Sequence, residues 1–182
     1  RTLAAMRRRN TAASVYESVR YAREKIPGIS FTADVIVGFP AESEEDFLQS
    51  ARLIESLGLL DFHIFAFSPR PGTPAAQMKC RVDKETKKRR ERYLEKIRAK
   101  SKNEFLSQYT GKDVEVLFEE LKGGYMRGHT ANFCEVEVPA DALRDALGVC
   151  PEALRGTYLT VNVLKASDGA LSATVFSRRA PV

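Results

Sequence analysis

One carboxylate stands inside an otherwise apolar run, Phe31-Thr32-Ala33-Asp34-Val35-Ile36-Val37, and Gly38-Phe39-Pro40 ends that run abruptly. Such a β-branched segment reads as a strand buried on both faces of a parallel sheet, with Asp34 needing a partner there. Ligands of parallel sheets sit at the carboxyl ends of the strands, so a strand with one acid that stops on glycine and proline is a candidate wall of a binding site. Taken alone, the stretch reads first as a core strand with a hydrogen-bonded Asp and an ordinary turn. A second apolar run, Phe62–Phe67, contains His63, which reads as a core histidine, and leads into Ser68-Pro69-Arg70-Pro71-Gly72-Thr73-Pro74.

The elements that must position these residues follow from periodicity. Thr11 caps a helix running to about Lys25, with Val15, Val19, Ala22 and Ile26 as its apolar stripe; Pro27-Gly28 stops it. Ser43-x-x-Asp46 is a capping-box variant opening a helix with Phe47, Ala51, Ile54 and Leu57 on one face, ended by Gly58. Helix, strand, helix, strand with tight turns is the grammar of βα units. Arg1 to Arg9 read as the inside of an amphipathic helix; with no initiator Met or cap, the chain is expected to start within a longer protein. Residues 83–110 predict a long helix with Leu94, Ile97, Ser101, Phe105 and Tyr109 along one side. After Gly111 come short alternating strands, a helical insertion at about Ala140–Leu147, and a turn at Ser167-Asp168-Gly169. That pattern predicts a small oligonucleotide-binding-like β-barrel over 111–182.

Of 182 residues, 43% are hydrophobic and 29% charged, as in a globular protein, and no apolar run approaches a membrane span. The net charge of +5 is concentrated in residues 83–110, with ten Lys/Arg against five Asp/Glu, whereas 111–182 carries eight against ten. An anionic partner fits that excess. Cys80, Cys134 and Cys150 have no metal-type spacing, which points to a reducing compartment and no metal held within this segment.

Four blocks together resemble a known family. Met6-x-Arg8-x-x-Thr11, then Thr32-x-Asp34-x-Ile36-Val37-Gly38-Phe39-Pro40-x-Glu42-Ser43, then Phe67-Ser68-Pro69-Arg70-Pro71-Gly72-Thr73-Pro74-Ala75-Ala76, then the basic helix and small barrel, are similar in order and spacing to the second half of radical S-adenosylmethionine methylthiotransferases. The resemblance implies an α/β part at 1–82 that is the end of a radical SAM (β/α) barrel, a basic linker helix at 83–110, and a C-terminal TRAM barrel that binds RNA. Gly128-His129-Thr130-Ala131-Asn132-Phe133 resembles the branch that methylthiolates C2 of threonylcarbamoyladenosine beside the tRNA anticodon. The branches acting on isopentenyladenosine or a ribosomal-protein aspartate are the alternatives. Departures are Ala41 for Gly, Ser43 for Thr, Phe67 for Tyr and Asn10 for Tyr; the third removes a phenol near the pocket.

The family's radical chemistry needs a Cys-x-x-x-Cys-x-x-Cys loop and three further cysteines for two 4Fe-4S clusters, and those ligands are not in this sequence. The resemblance therefore implies a cytoplasmic enzyme only when full length, with this segment inert alone and holding no catalytic residue. It also implies S-adenosylmethionine as cofactor, contacted by Arg8 at its carboxylate and by Gly38 and Phe39, with a solvated helix end and a simple strand-to-helix turn as the respective alternatives; Asp34 would hydrogen-bond either the ligand or a neighbouring side chain. Arg70 would meet a tRNA phosphate or the nucleotide being modified, with a loop-fixing ion pair as the alternative; Lys87, Lys88, Arg89, Arg90 and Arg92 would form a phosphate track, with a solvated helix face as the alternative. Tyr125 and Phe133 would stack on RNA bases, unless the two rings fill the barrel core; His129, in an expected loop, would contact RNA or else stand free in solvent. A non-catalytic RNA-binding remnant is the competing expectation for the whole chain.

Overall fold

The computed structural model describes residues 1–167 and 169–175, so Asp168 of the last expected turn lies outside the described residues. The chain divides into two compact units, Arg1–Lys102 and Asn103–Val182.

The first unit is built on two parallel strands, β1 (Thr32–Val37) and β2 (Asp61–Ala66), paired in continuous register from Thr32↔Asp61 to Val37↔Ala66. Ahead of them come α1 (Thr2–Ala5) and α2 (Ala12–Lys25); α3 (Glu44–Leu57) joins the strands, and α4 (Pro74–Gln77) and α5 (Lys84–Ser107) follow. Thr11 and Ser43 cap α2 and α3 with reciprocal capping boxes, so each helix starts where its side chain replaces a missing backbone partner. Phe47, Ala51, Ile54 and Leu57 of α3 are buried against Val37, Leu59, Phe62, Leu94 and Ile97. Burying a side chain such as Phe62 contributes about 1.5–3 kcal/mol.

Three expectations change here. The strands are buried on one face only: Thr32, Asp34 and Ile36 of β1 and His63 and Phe65 of β2 are exposed. Asp34 therefore stays solvated and needs no buried partner, and His63 is not a core histidine. The N-terminal helix is one turn, because Arg7 turns into the left-handed region at φ 57°. The helix expected as a separate linker is shared between the units. Leu94, Ile97 and Ser101 are buried, and the Ser101 hydroxyl donates to the Leu59 carbonyl at 2.8 Å, which ties the helix as far as Ser101 to the 1–102 unit.

The second unit holds β3 (Asp113–Lys122), β4 (Tyr125–Thr130), β5 (Glu135–Pro139), β6 (Tyr158–Ser167) and β7 (Ala170–Thr174). They close into a barrel in the order β3-β4-β5-β7-β6, antiparallel except for β5 with β7. α6 (Ala140–Leu147) lies between the third and fourth strands in sequence. Val116, Phe118, Met126, Val136, Val138, Val161, Val163, Leu171 and Ala173 fill the interior, all fully buried. Among the described residues the only closed barrel is this one, and β1 and β2 form a two-stranded sheet.

Candidate functional site

At the carboxyl ends of β1 and β2 lies a cleft of about 300 Å³, lined by Met6, Arg8, Ile36, Phe39, Phe67 and Thr73 among others. The Phe39 and Phe67 rings meet edge to face, 5.2 Å between centroids. Arg8 is exposed and forms no ion pair among the described residues, so its guanidinium is free for a carboxylate. Two cations, Arg7 and Arg8, and a wall of aromatic and aliphatic carbon suit a ligand that carries a carboxylate and a flat apolar ring; no thiolate lines the cleft. Of the predicted cofactor contacts, Arg8 and Phe39 converge here. Asp34 and Gly38 are not among its lining residues, and neither is Arg70.

Gly38 acts behind the wall instead. Its φ is 73°, and a Cβ there would lie 2.6 Å from Cγ of Lys87. Its N–H donates to the Glu42 carboxylate at 2.7 Å, and Arg90 donates to the same carboxylate at 2.5 Å. Glu42 and Arg90 are both almost fully buried, and Arg90 also reaches Glu44 at 3.1 Å. Burial pushes the Glu42 carboxyl above the ordinary range, against the opposing pull of the Gly38 N–H and Arg90. Lys87 donates from Nζ to the Phe67 carbonyl at 2.9 Å. Glu42 carries no role in the sequence reading, and Lys87 and Arg90 enter it only as part of the basic run; the structure turns both inward instead, and a signal for that existed: 87, 90, 94, 97 and 101 form one helical stripe, so both cations share the apolar face of α5.

The other cations of α5 differ in availability. Arg89 is held by Glu44 through two hydrogen bonds of 2.8 and 2.9 Å, and Lys88 lies 3.9 Å from Glu85. Arg92 and Lys96 form no ion pair among the described residues and line a second cleft of about 300 Å³ beside Phe47 and Tyr93. Arg70 is exposed, and no loop-fixing ion pair forms among the described residues; the loop is held by Thr73, whose N–H and hydroxyl both donate to the Arg70 carbonyl.

In the barrel, the Gly128–Phe133 run is largely architecture. A Cβ on Gly128 would meet the Leu117 carbonyl oxygen at 2.0 Å, beside the β3 bulge between Phe118 and Glu120. The Thr130 hydroxyl accepts from the Cys134 N–H at 3.0 Å and donates to Asn132, whose amide donates to the Tyr109 phenol oxygen at 2.6 Å. That loop holds Phe133 at φ 63° and 78% exposed, which removes the core alternative for its ring. His129 packs 6.3 Å from Phe133 between ring centroids, with Nδ1 2.6 Å from Glu119. Tyr125 is exposed at the start of β4, and so is Tyr158 on β6, an aromatic the sequence reading did not single out.

Among the described residues no three His, Cys, Asp or Glu side chains gather as a metal site, and no helix is long and apolar enough to cross a membrane. No family model matches the chain. It is 40% identical over 66% of its length to a tRNA-2-methylthio-N(6)-dimethylallyladenosine synthase of Wolbachia pipientis wMel, covering 28% of that protein. The enzyme of the same name from Thermobifida fusca is 41% identical over 68% of the chain, with 25% of the relative covered. The threonylcarbamoyladenosine tRNA methylthiotransferase MtaB of Bacillus subtilis is 33% identical over 72% of the chain, with 30% covered. The chain thus spans between a quarter and a third of these relatives.

Proposed function

Because this chain is a homologue of the radical S-adenosylmethionine tRNA methylthiotransferases, matching part of their length, we propose that it serves as the portion of such an enzyme that walls the cofactor and carries an RNA-binding module. The observation that carries this reading is the cleft at the strand ends, where Arg8 meets Phe39 and Phe67. Arg8 would bind the cofactor's carboxylate, and the two rings would exclude water from its adenine. S-adenosylmethionine, with iron–sulfur clusters ligated outside these residues, would supply the radical chemistry and the methyl group. Cytoplasmic tRNA would be the substrate, met by Arg70 and the free cations Arg92 and Lys96 on one unit and by Tyr125, His129 and Phe133 on the other. Lys88 and Arg89 contribute less, being engaged with Glu85 and Glu44.

The Gly128-His129-Thr130-Ala131-Asn132-Phe133 run supports threonylcarbamoyladenosine as the modified nucleoside. A second reading, dimethylallyladenosine, is favoured by the names of the Wolbachia and Thermobifida relatives. Mass spectrometry of tRNA nucleosides from cells with and without the full gene separates them. Loss of the methylthio form of threonylcarbamoyladenosine supports the first, and loss of the dimethylallyl form supports the second. An unchanged nucleoside profile would overturn both.

A further inference from the structure

We infer that Lys87 and Arg90, two cations three residues apart on α5, are positioning residues that hold the two aromatic walls of the cleft; the cofactor consequence rests on the reading above. Each wall has its own tether. Phe39 follows Gly38, whose N–H is bound by the buried Glu42 carboxylate, and Arg90 holds that carboxylate in place at 2.5 Å. The turn is closed by the Glu42 N–H donating to the Phe39 carbonyl at 2.9 Å. Phe67 is fixed on one side by its N–H to the Val37 carbonyl at 2.8 Å and on the other by Lys87 Nζ at its own carbonyl. The Lys87 stem also fills the space above the Gly38 Cα, so one side chain touches both strand ends.

The chemistry explains why cations stand on a buried stripe. Both strand ends hold polar backbone away from water, partly at the Phe67 carbonyl and fully at the left-handed turn of Gly38. Unmet, such groups are costly. A lysine amine satisfies the carbonyl. A guanidinium satisfies the carboxylate that in turn satisfies the amide. Arg90 also lies over the Phe47 ring, 5.1 Å from its centroid, and spans to Glu44 at the start of α3, a reach that lysine lacks. The basic run of α5 is therefore two sets of residues: Lys87 and Arg90 inward, behind the cleft wall, and Arg92 and Lys96 outward.

The test uses the full-length protein carrying Lys87→Met, which keeps the stem and removes the donor, or the pair Glu42→Gln with Arg90→Met. The pair keeps an acceptor for Gly38 and leaves no buried charge. Titration with S-adenosylmethionine should show at least a tenfold weaker Kd for Lys87→Met, with circular dichroism and tRNA affinity unchanged; the double variant should lie between it and wild type. Arg90→Lys, which keeps the charge but not the fork, should recover only part of what Arg90→Met loses. Hydrogen exchange at the Gly38 and Phe67 amides should quicken at least tenfold in Lys87→Met and Arg90→Met. Wild-type exchange rates at both amides in those variants would overturn the inference. If wild-type protein bound no S-adenosylmethionine, the cofactor reading would fall, while the exchange rates would still decide the positioning role.

Discussion

Phe133→Gly separates RNA contact from barrel stability more sharply than any other single change. The ring is 78% exposed, so it buries roughly a fifth of the 150–250 Å² available to a phenylalanine, about 40 Å². At about 25 cal/mol per Å², removing it forfeits about 1 kcal/mol. A left-handed φ of 63° costs a side-chain-bearing residue roughly 1–2 kcal/mol, which glycine relieves, less about 0.5–1 kcal/mol for the freer unfolded chain. Those contributions nearly cancel, so the unfolding free energy should move by less than about 1 kcal/mol. If a base stacks on the ring, affinity should fall by about 1–3 kcal/mol, or roughly 5- to 150-fold in Kd. Fluorescence anisotropy with a labelled anticodon stem–loop RNA reads the second quantity, and urea unfolding of the same protein reads the first. An unchanged Kd would refute stacking at Phe133. A stability loss above about 2 kcal/mol would refute the exposed placement of the ring.

Gly128→Ala should do the reverse, because its Cβ meets backbone that has nowhere to move; a loss of at least about 3 kcal/mol is expected, seen as a fall of roughly 12 °C or more in the barrel's Tm. A shift under a few degrees would mean that β3 and β4 separate freely at the bulge. Arg92→Ala and Lys96→Ala should each lower the slope of log Kd for tRNA against log salt by about 0.7–0.9, whereas Arg89→Ala should leave it nearly unchanged because Glu44 already neutralises it; equal slopes for all three would show that the Glu44 pair opens on binding. Acid should weaken the 1–102 unit. Asp46 is held low chiefly by the Ser43 hydroxyl, and at Asp61 the upward push of burial is outweighed by Arg98 and the Phe62 N–H. Depressed carboxyls stabilise above their unfolded value and lose that contribution as pH falls through the folded one, so the urea midpoint followed by NMR at Ala51 should decline below about pH 4. A midpoint flat down to about pH 2 would contradict the depression of both carboxyls.

Local order was legible in the sequence because each helix carries its own punctuation. Thr11 and Ser43 cap where their spacing says they should, Gly58 ends α3 in the left-handed region, and the α3 stripe is the buried set. Four of the five barrel strands were legible for the same reason: period-two alternation leaves one solution for the interior. β4 was not, because its inward positions after Met126 are Gly128 and Thr130, so His129 reads as a loop residue although it lies in a strand. The exposure of Asp34 and Ile36 was not, since an apolar strand has the same composition whether or not a layer covers its second face. Composition reports what a strand tolerates, and only the neighbours decide what it meets.

The site failed to be legible for a different reason, and α5 shows it. Lys87-Lys88-Arg89-Arg90-Glu91-Arg92 reads as a uniform basic run when counted by charge, and a count invites a single role, the phosphate track. Counted by angle, the run splits. Positions 87 and 90 continue the stripe of Leu94, Ile97 and Ser101 back toward the helix start, while 88, 89, 92 and 96 turn away from it. A lysine and an arginine on an apolar stripe must be satisfied, and the acceptors available are those of the strand ends: the Phe67 carbonyl and the Glu42 carboxylate beneath Gly38. Glu42, five residues past Val37, was visible as part of a motif but had no chemistry assigned until its partner on α5 was known. Charge on a buried stripe is thus a stronger pointer to a held strand end than charge density along the same helix, and it names Lys87 and Arg90 before any of the exposed cations.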